Sequence, residues 1–345
     1  RSPSRGLGDV YKRQVLDIRT NILADTDALY LTAIDPYGHE LWRWTFPVNK
    51  LNQQTEQLSP LSSRPTYTET ENDLTVKANK RAFIFSKKDG QLKGVSVDNR
   101  KISFANGPRF IGARRADRSL DQFYNHDDEK AKEKDRTYSE FPDAAVFTKL
   151  DVKEDGGNLV VTANYKLGNL DKAQWTINPS GDLALDYTYN FSGVVDLMGI
   201  RFDYPEDQVI SKRWLGAGPY RVWQNRIHGT QYDVWENDYN DPIPGETFTY
   251  PEFKGYFADV SWMNIQTKEG TISLTNETPD AYIGVYQPRD GRDRLLYTLP
   301  ESGISVLNVI PPVRNKVNST DLCGPSSQPK WVNGPQTGRV IFRFM

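Results

Sequence analysis

A series of short β-strand patterns, separated by turn signals, constrains the fold of this chain more than any other feature. From residue 73 onward, runs rich in β-branched and aromatic residues alternate with turn sequences such as KDG at 88–90 and DGG at 155–157. This alternation predicts antiparallel strands. The predicted strands are 74–78, 82–86, 92–97, 146–152, 158–167, 172–177, 183–191, 259–267, 271–276, 281–286, 305–310 and 338–344. So many short strands indicate a large all-β sandwich of two sheets.

A β-hairpin is predicted ahead of this region, with strands at 28–34 and 40–46. The sequence DPYG at 35–38 joins them, and Asp, Pro and Gly at its first, second and fourth positions favour a type I turn. Three aromatic residues alternate onto one face of the second strand, and a lone hairpin cannot bury such a face in water. We therefore expect residues 15–48 to be the C-terminal hairpin of a truncated immunoglobulin-like sandwich.

The start of the chain divides into segments of different character. Residues 1–14 are predicted to be an artefact, because DVYKRQ at 9–14 matches the translation of a sequencing adaptor. Since no Met begins the sequence, we expect the natural protein to continue upstream of Val15. Residues 49–72 are rich in Gln, Ser, Thr and Pro and predict an extended linker. The large sandwich then takes up residues 73–345.

Charge and composition exclude several classes of partner. The net charge is −2, which indicates neither a nucleic-acid surface nor an anionic membrane as a partner. The sequence contains no run of 18 apolar residues, the length needed for a helix to span a membrane. Residues 119–136 predict one helix, whose charged second half is typical of a solvated face.

The single cysteine, Cys323, excludes an internal disulfide and a cysteine-based zinc site. The 18 Tyr, 15 Phe and 8 Trp instead suit sheet packing and stacking on sugar rings.

Residues 213–226, RWLGAGPYRVWQNR, predict a rigid corner of the sandwich. We expect a strand to end near Trp214 and a tight bend to follow, in which Gly216 and Gly218 take backbone angles closed to other residues. Pro219 fixes the bend further, and aromatic residues on both sides pin it to a sheet. Taken alone, this pattern indicates packing and turn chemistry rather than catalysis.

The same corner resembles the signature of the C-terminal, small-chain domain of family 2 β-galactosidases. The flanking segments 198–200 and 249–255 agree with it. The matching residues of the corner are Trp214, Leu215, Gly216, Gly218, Pro219, Trp223 and Arg226. The resemblance covers roughly residues 73–345 and implies a galactose-mutarotase-like supersandwich, directly preceded by an immunoglobulin-like domain. Residues 107–117 depart from the family, because they lack its Asp-Asn-Asp triplet near the active-site cleft.

The resemblance implies a retaining glycoside hydrolase that cleaves terminal β-galactosides. Such enzymes need two carboxyl groups about 5 Å apart, and in the family both belong to an upstream catalytic barrel. Nothing in residues 15–345 resembles the strand-end glutamates of a barrel, so we expect no catalytic residue here and a role in shaping the cleft. The expected partners are a carbohydrate substrate, the barrel domain and, compatible with the sequence, a second copy in a homo-oligomer. No cofactor is expected in this chain, whereas the parent family allows Mg or Na. The compartment stays open between bacterial cytoplasm and periplasm.

Three aromatic residues are the candidate sugar contacts. The resemblance implies a tryptophan on a late loop that reaches the substrate, and Trp331 in the polar segment 317–332 is the nearest match. Trp235 and Tyr239 lie in the sequence WENDY, which combines rings with Asp and Asn as sugar sites do. The alternatives are a core position that caps a strand for Trp331 and the rim of a turn for the other two.

Two charged residues are retained by the motif, Arg226 and Glu252. We expect them to form a buried ion pair that fixes the corner, since removing one partner of such a pair is costly.

Two other classes of function are compatible with the chain. One is a non-catalytic carbohydrate-binding module. The other is an aldose-1-epimerase-like enzyme, which would need a histidine acid and a glutamate base. The three histidines are His39, His126 and His228, and their spacing does not favour this chemistry over surface roles.

Overall fold

The computed structural model describes residues 26, 28–48, 63–115, 138–240, 254–288, 299–313 and 325–345. The helix predicted at 119–136 lies outside these residues, as do His126, Glu252 and Cys323. The chain divides into two compact units, Arg1–Asn49 and Lys50–Met345. In the described ranges, no helix is long and apolar enough to cross a membrane.

The first unit contains the predicted hairpin. Strands β1 (Ala28–Ile34) and β2 (Glu40–Pro47) pair antiparallel. The Asp35 carboxylate accepts hydrogen bonds from the backbone N–H groups of Tyr37 and His39, both at 2.8 Å, and so stabilises the turn. Trp42 and Trp44 lie on one face and are 50% and 45% exposed. The hairpin is therefore confirmed, while its origin in an immunoglobulin-like domain stays a prediction.

The second unit is built from strands, with short 3-10 turns at Glu206–Gln208 and Pro325–Ser327. The strands up to residue 140 are β3 (Thr66–Glu69), β4 (Asp73–Ala78), β5 (Arg81–Ser86), β6 (Leu92–Val97), β7 (Arg100–Ile102), β8 (Ala105–Arg115) and β9 (Tyr138–Glu140). The later strands are β10 (Val146–Asp155), β11 (Asn158–Lys166), β12 (Leu170–Ile177), β13 (Leu183–Val195), β14 (Leu197–Asp203), β15 (Val209–Gly218), β16 (Gln231–Asp238), β17 (Trp262–Thr267), β18 (Gly270–Asn276), β19 (Tyr282–Gly284), β20 (Ile304–Val309) and β21 (Lys330–Phe344).

These strands form two large antiparallel sheets. The nine-stranded sheet has the order β10-β11-β12-β13-β21-β18-β17-β15-β16. The ten-stranded sheet has the order β19-β20-β14-β8-β6-β5-β4-β3, with β7 on β6 and β9 on β8. The predicted all-β supersandwich is thus confirmed. One difference is β3, which lies within the range predicted as linker; all four of its residues are exposed at the sheet edge, and this explains their polar composition.

The main core lies between the two sheets. Phe104 is fully buried and stacks on Phe202 of β14 with ring centroids 4.7 Å apart. It also contacts Phe342 of β21 at 4.9 Å. Because β14 and β21 belong to different sheets, this aromatic group joins the two layers.

A second apolar cluster covers the outer face of the ten-stranded sheet. Ile111, Leu197 and Leu307 point outward from β8, β14 and β20, at positions that alternate with the inner core residues. Trp223 and Tyr256 cover them from outside any strand. Since Trp223 belongs to the corner predicted at 213–226, this cluster positions the corner against the ten-stranded sheet.

Candidate functional site

The corner at 213–226 begins inside a strand. β15 continues through Gly218, so the expected end near Trp214 is wrong. Gly216 and Gly218 also lack the positive φ angles expected of them. A Cβ on Gly216 would lie 3.0 Å from the Cα of Val260, and a Cβ on Gly218 would enter the indole ring of Trp235. Both glycines are thus required by close approach of neighbouring groups rather than by a left-handed backbone.

Trp214 anchors the corner to the core. Its side chain is fully buried, and its indole N–H donates to the carbonyl of Ala217 at 3.0 Å. The ring meets Phe257 edge to face, with centroids 5.1 Å apart. The chain leaves β15 at Pro219, which follows a cis peptide bond from Gly218.

The second half of the corner adds to the edge of the ten-stranded sheet. Val222 and Tyr256 exchange backbone hydrogen bonds of 2.7 and 2.8 Å, and Phe257 pairs in the same way with Ile283 of β19. The Val222 carbonyl lies where a Cβ of Gly255 would be. The Gly255 that agrees with the family signature therefore has a steric reason in this structure.

The charged residues of the corner are arranged differently from the prediction. Arg226 is exposed, so a buried position for it is wrong, and its pairing with Glu252 stays a prediction. The buried cation is Arg221, which is 2% exposed and donates to the Asn240 side-chain oxygen at 2.6 Å. Its guanidinium lies 4.9 Å from the ring centroid of Tyr286. Burial lowers the pKa of Arg221 to about 10. No sequence pattern marks an arginine as buried, so this residue was missed.

Trp331 is the most exposed of the candidate sugar contacts. It lies in β21 rather than on a loop, opposite Val194 of β13, and it is 72% exposed. The alternative of a core tryptophan is therefore wrong. An exposed indole on a strand held by its neighbour is available for stacking against the apolar face of a sugar.

Trp235 and Tyr239 have their polar atoms occupied. The indole N–H of Trp235 donates to the carbonyl of Gln231 at 3.1 Å, and its ring packs over Gly218 in β15. The Tyr239 hydroxyl donates to Glu206 Oε1 at 2.7 Å, although the residue is 43% exposed. Trp235 lies in the edge strand β16, whereas Tyr239 lies in the turn that follows it, so the rim of a turn is wrong for Trp235 and confirmed for Tyr239.

The three candidates do not converge on one sugar. β21 and β16 are separated by β18, β17 and β15 in the nine-stranded sheet. Four strand spacings of about 4.8 Å place Trp331 and Trp235 roughly 19 Å apart across the sheet. A single monosaccharide could therefore contact Trp331 or the pair Trp235 and Tyr239, but not both.

Two of the three histidines lie among the described residues. His39 bonds to Asp35 at 3.0 Å in the hairpin turn, and His228 is exposed. Within the same ranges, no group of three or more His, Cys, Asp or Glu side chains could hold a metal ion.

One polar cleft of about 410 Å³ lies at the ends of β4, β5 and β6. Its lining includes Asp73, Asp89, Lys88 and Lys93, and Lys93 donates to both oxygens of Asp73 at 2.9 Å. Among the described residues, no aromatic side chain lines this cleft. It therefore lacks the ring on which a sugar would stack.

Fold and corner together define a sandwich of two large antiparallel sheets, with the corner packed on the outer face of the ten-stranded sheet. The chain matches the family "Beta galactosidase small chain" over residues 77–311 and belongs to that family. Among solved structures, it is similar to a galactose 1-epimerase from Lactobacillus acidophilus NCFM, with 10% identity, a TM-score of 0.41 and coverage of 82% of this chain and 99% of that one. It is also similar to an aldose epimerase homologue from C. elegans, with 7% identity, a TM-score of 0.36 and coverage of 81% and 99%. No curated protein matches the chain.

Proposed function

We propose that this chain is the C-terminal part of a retaining, β-galactosidase-like glycoside hydrolase, in which it shapes the substrate cleft of an upstream catalytic barrel. Membership of the small-chain family supports a glycosidase parent. The observation that carries the proposal is the indole of Trp331, 72% exposed at the start of a strand paired along its length with β13. An exposed indole on a paired strand is well suited to stack on a pyranose face.

Polar groups accompany the indole on the same face of the sheet. Asn333 lies two residues further along β21, and side chains two apart in a strand share a face. Its Oδ1 accepts a hydrogen bond from the Ser192 hydroxyl at 2.8 Å. An amide and a hydroxyl beside an exposed ring can bind the hydroxyl groups of a sugar while the ring covers its C–H face.

In this proposal, bond cleavage and sugar binding belong to different domains. Glycosidic cleavage with retention needs a nucleophilic carboxylate and a carboxylic acid on either side of the bond. In the proposal, the barrel supplies both groups. Trp331 and its neighbours bind and orient the sugar, and binding that is equal in ground state and transition state lowers KM without raising kcat.

The test measures hydrolysis of a chromogenic β-galactoside by this chain alone, and again with the catalytic portion of the parent enzyme added. We expect no turnover alone and restored turnover in the mixture. Trp331→Ala is expected to raise KM about tenfold, which corresponds to about 1.4 kcal/mol of binding, and to leave kcat unchanged. Tyr67→Ala is the matched control, because Tyr67 is an exposed aromatic residue of the edge strand β3.

Other outcomes would replace the proposal. Turnover by the chain alone would place the catalytic carboxylates in this sequence. Sugar binding without restored turnover would support the carbohydrate-binding module, and interconversion of galactose anomers would support an epimerase. An unchanged KM in Trp331→Ala would remove Trp331 as a substrate contact.

A further inference from the structure

Asn225 lies in the turn that ends the corner, and its side chain binds the backbone of Val313. Its side-chain N–H donates to the carbonyl of Val313 at 3.0 Å, and its side-chain oxygen accepts from the Val313 N–H at 2.9 Å. One amide thus satisfies both backbone groups of a residue that is 6% exposed. These contacts join positions 88 residues apart in the chain.

Gln224 contacts the chain on both sides of residues 314–324. Its backbone N–H donates to the carbonyl of Pro311 at 3.0 Å. Its side-chain N–H donates to the carbonyl of Gln328 at 2.7 Å. Gln224 is 8% exposed, so these hydrogen bonds lie away from water and are costly to break.

Gln224 and Asn225 lie in a turn that is held in place by backbone hydrogen bonds and by packing. Trp223 and Arg226 exchange backbone hydrogen bonds of 3.3 and 2.8 Å, which close the turn between them. The Trp223 side chain is 3% exposed and meets Tyr256 edge to face, with centroids 5.8 Å apart. Because the turn is anchored in the outer apolar cluster, its amides cannot move without disturbing that packing.

We infer that Gln224 and Asn225 are positioning residues. Asn225 holds the chain at Val313, and Gln224 holds it at Gln328, close to the start of the strand that carries Trp331. Trp331 lies three residues beyond Gln328, so the hydrogen bond at Gln328 restrains the strand end that carries the indole. The contribution to substrate binding rests on the proposed function of Trp331. The restraint on the chain rests on the hydrogen bonds alone.

Amide hydrogen exchange tests the restraint in the full chain. In Asn225→Ala we expect the Val313 N–H to exchange at least about tenfold faster, because it loses its acceptor. Asn225→Asp keeps that acceptor and should retain most of the protection. Asn276→Ala is the matched control: Asn276 also binds backbone through its amide, donating to Val260 and accepting from the Thr278 N–H, but far from Val313 in the chain. Equal exchange at Val313 in Asn225→Ala and the unmodified chain would overturn the inference.

Kinetics of the chain combined with the parent catalytic portion test the consequence for substrate. Gln224→Ala, which removes the side-chain hydrogen bond to Gln328, should raise KM and leave kcat unchanged. Adding Gln224→Ala to Trp331→Ala should bring no further rise, since the effect of Gln224 passes through the indole. Asn276→Ala should leave KM unchanged. An unaltered KM in Gln224→Ala would overturn the link to substrate. If Trp331→Ala itself leaves KM unaltered, the proposed function fails, while the exchange result still decides whether the restraint exists.

Discussion

Gly255→Ala is expected to lower the free energy of unfolding by about 3–5 kcal/mol, the range of severe single substitutions. The added Cβ would overlap the Val222 carbonyl oxygen and lie 2.6 Å from its carbon. Neither atom can yield easily, because Val222 is fully buried and its backbone is hydrogen-bonded in both directions to Tyr256. The strain therefore falls on the junction between the corner and the ten-stranded sheet.

Gly94→Ala provides the comparison. Gly94 lies in β6 with an ordinary backbone, and a Cβ there would meet no atom within 4 Å. Urea denaturation of both variants, with the midpoint and slope compared, separates a steric effect from the general effect of replacing glycine in a β protein. A similar loss in the two variants would contradict the steric explanation.

Raising the pH from 10 to 12 is expected to destabilise the protein steeply. Burial raises the pKa of Tyr187 to about 12, and burial with the nearby Glu269 carboxylate does the same for Tyr204. Burial also raises the pKa of Tyr189, Tyr256 and Tyr286. In this window the unfolded chain loses phenolic protons that the folded chain retains, so the free energy of unfolding falls as pH rises. Tyr187 should account for about 2 kcal/mol by pH 12. Arg221 offsets part of the fall, because its lowered pKa makes the folded chain lose this proton before the unfolded chain does.

The measurement is a series of urea denaturation curves between pH 8 and 12, with tyrosinate absorbance followed on the folded protein. Tyr187→Phe should flatten the fall by the share of one titrating group. Titration of all tyrosines near pH 10 while the protein remains folded would show that the buried phenols are not protected.

Strands were predictable where the side-chain pattern along the sequence is regular. β6 was predicted with its observed bounds, and β11 and β18 were predicted to within one residue, because their β-branched residues alternate between turn signals. β8 and β14 were missed, although both are central in the ten-stranded sheet. β14 contains Gly199, which reads as a strand breaker, yet a Cβ there would lie 2.6 Å from the Cα of Leu307. Glycine in these strands permits close packing between neighbours, and that is a tertiary property.

The candidate site was predictable only in part, for the same reason. The motif located the corner, since its glycines and tryptophans stand close together in the sequence. The contacts of Gln224 and Asn225 were not predictable, because polar side chains meeting backbone groups about 90 to 100 residues away leave no periodic pattern. Exposure decided between the alternatives for Trp331, and exposure is set by the pairing of β21 with β13.

The place of β21 in the nine-stranded sheet has a consequence for biosynthesis. β21 pairs with β13 on one side and β18 on the other, so it joins β10–β13 to the group formed by β15–β18. During translation, the two groups emerge long before the strand that connects them, and their inner edges stay unpaired until residues 330–344 have left the ribosome. Unpaired edges of nascent sheets favour aggregation. Completion of this domain is therefore expected to be a late, cooperative event that depends on chaperones more than a sheet built from consecutive hairpins would.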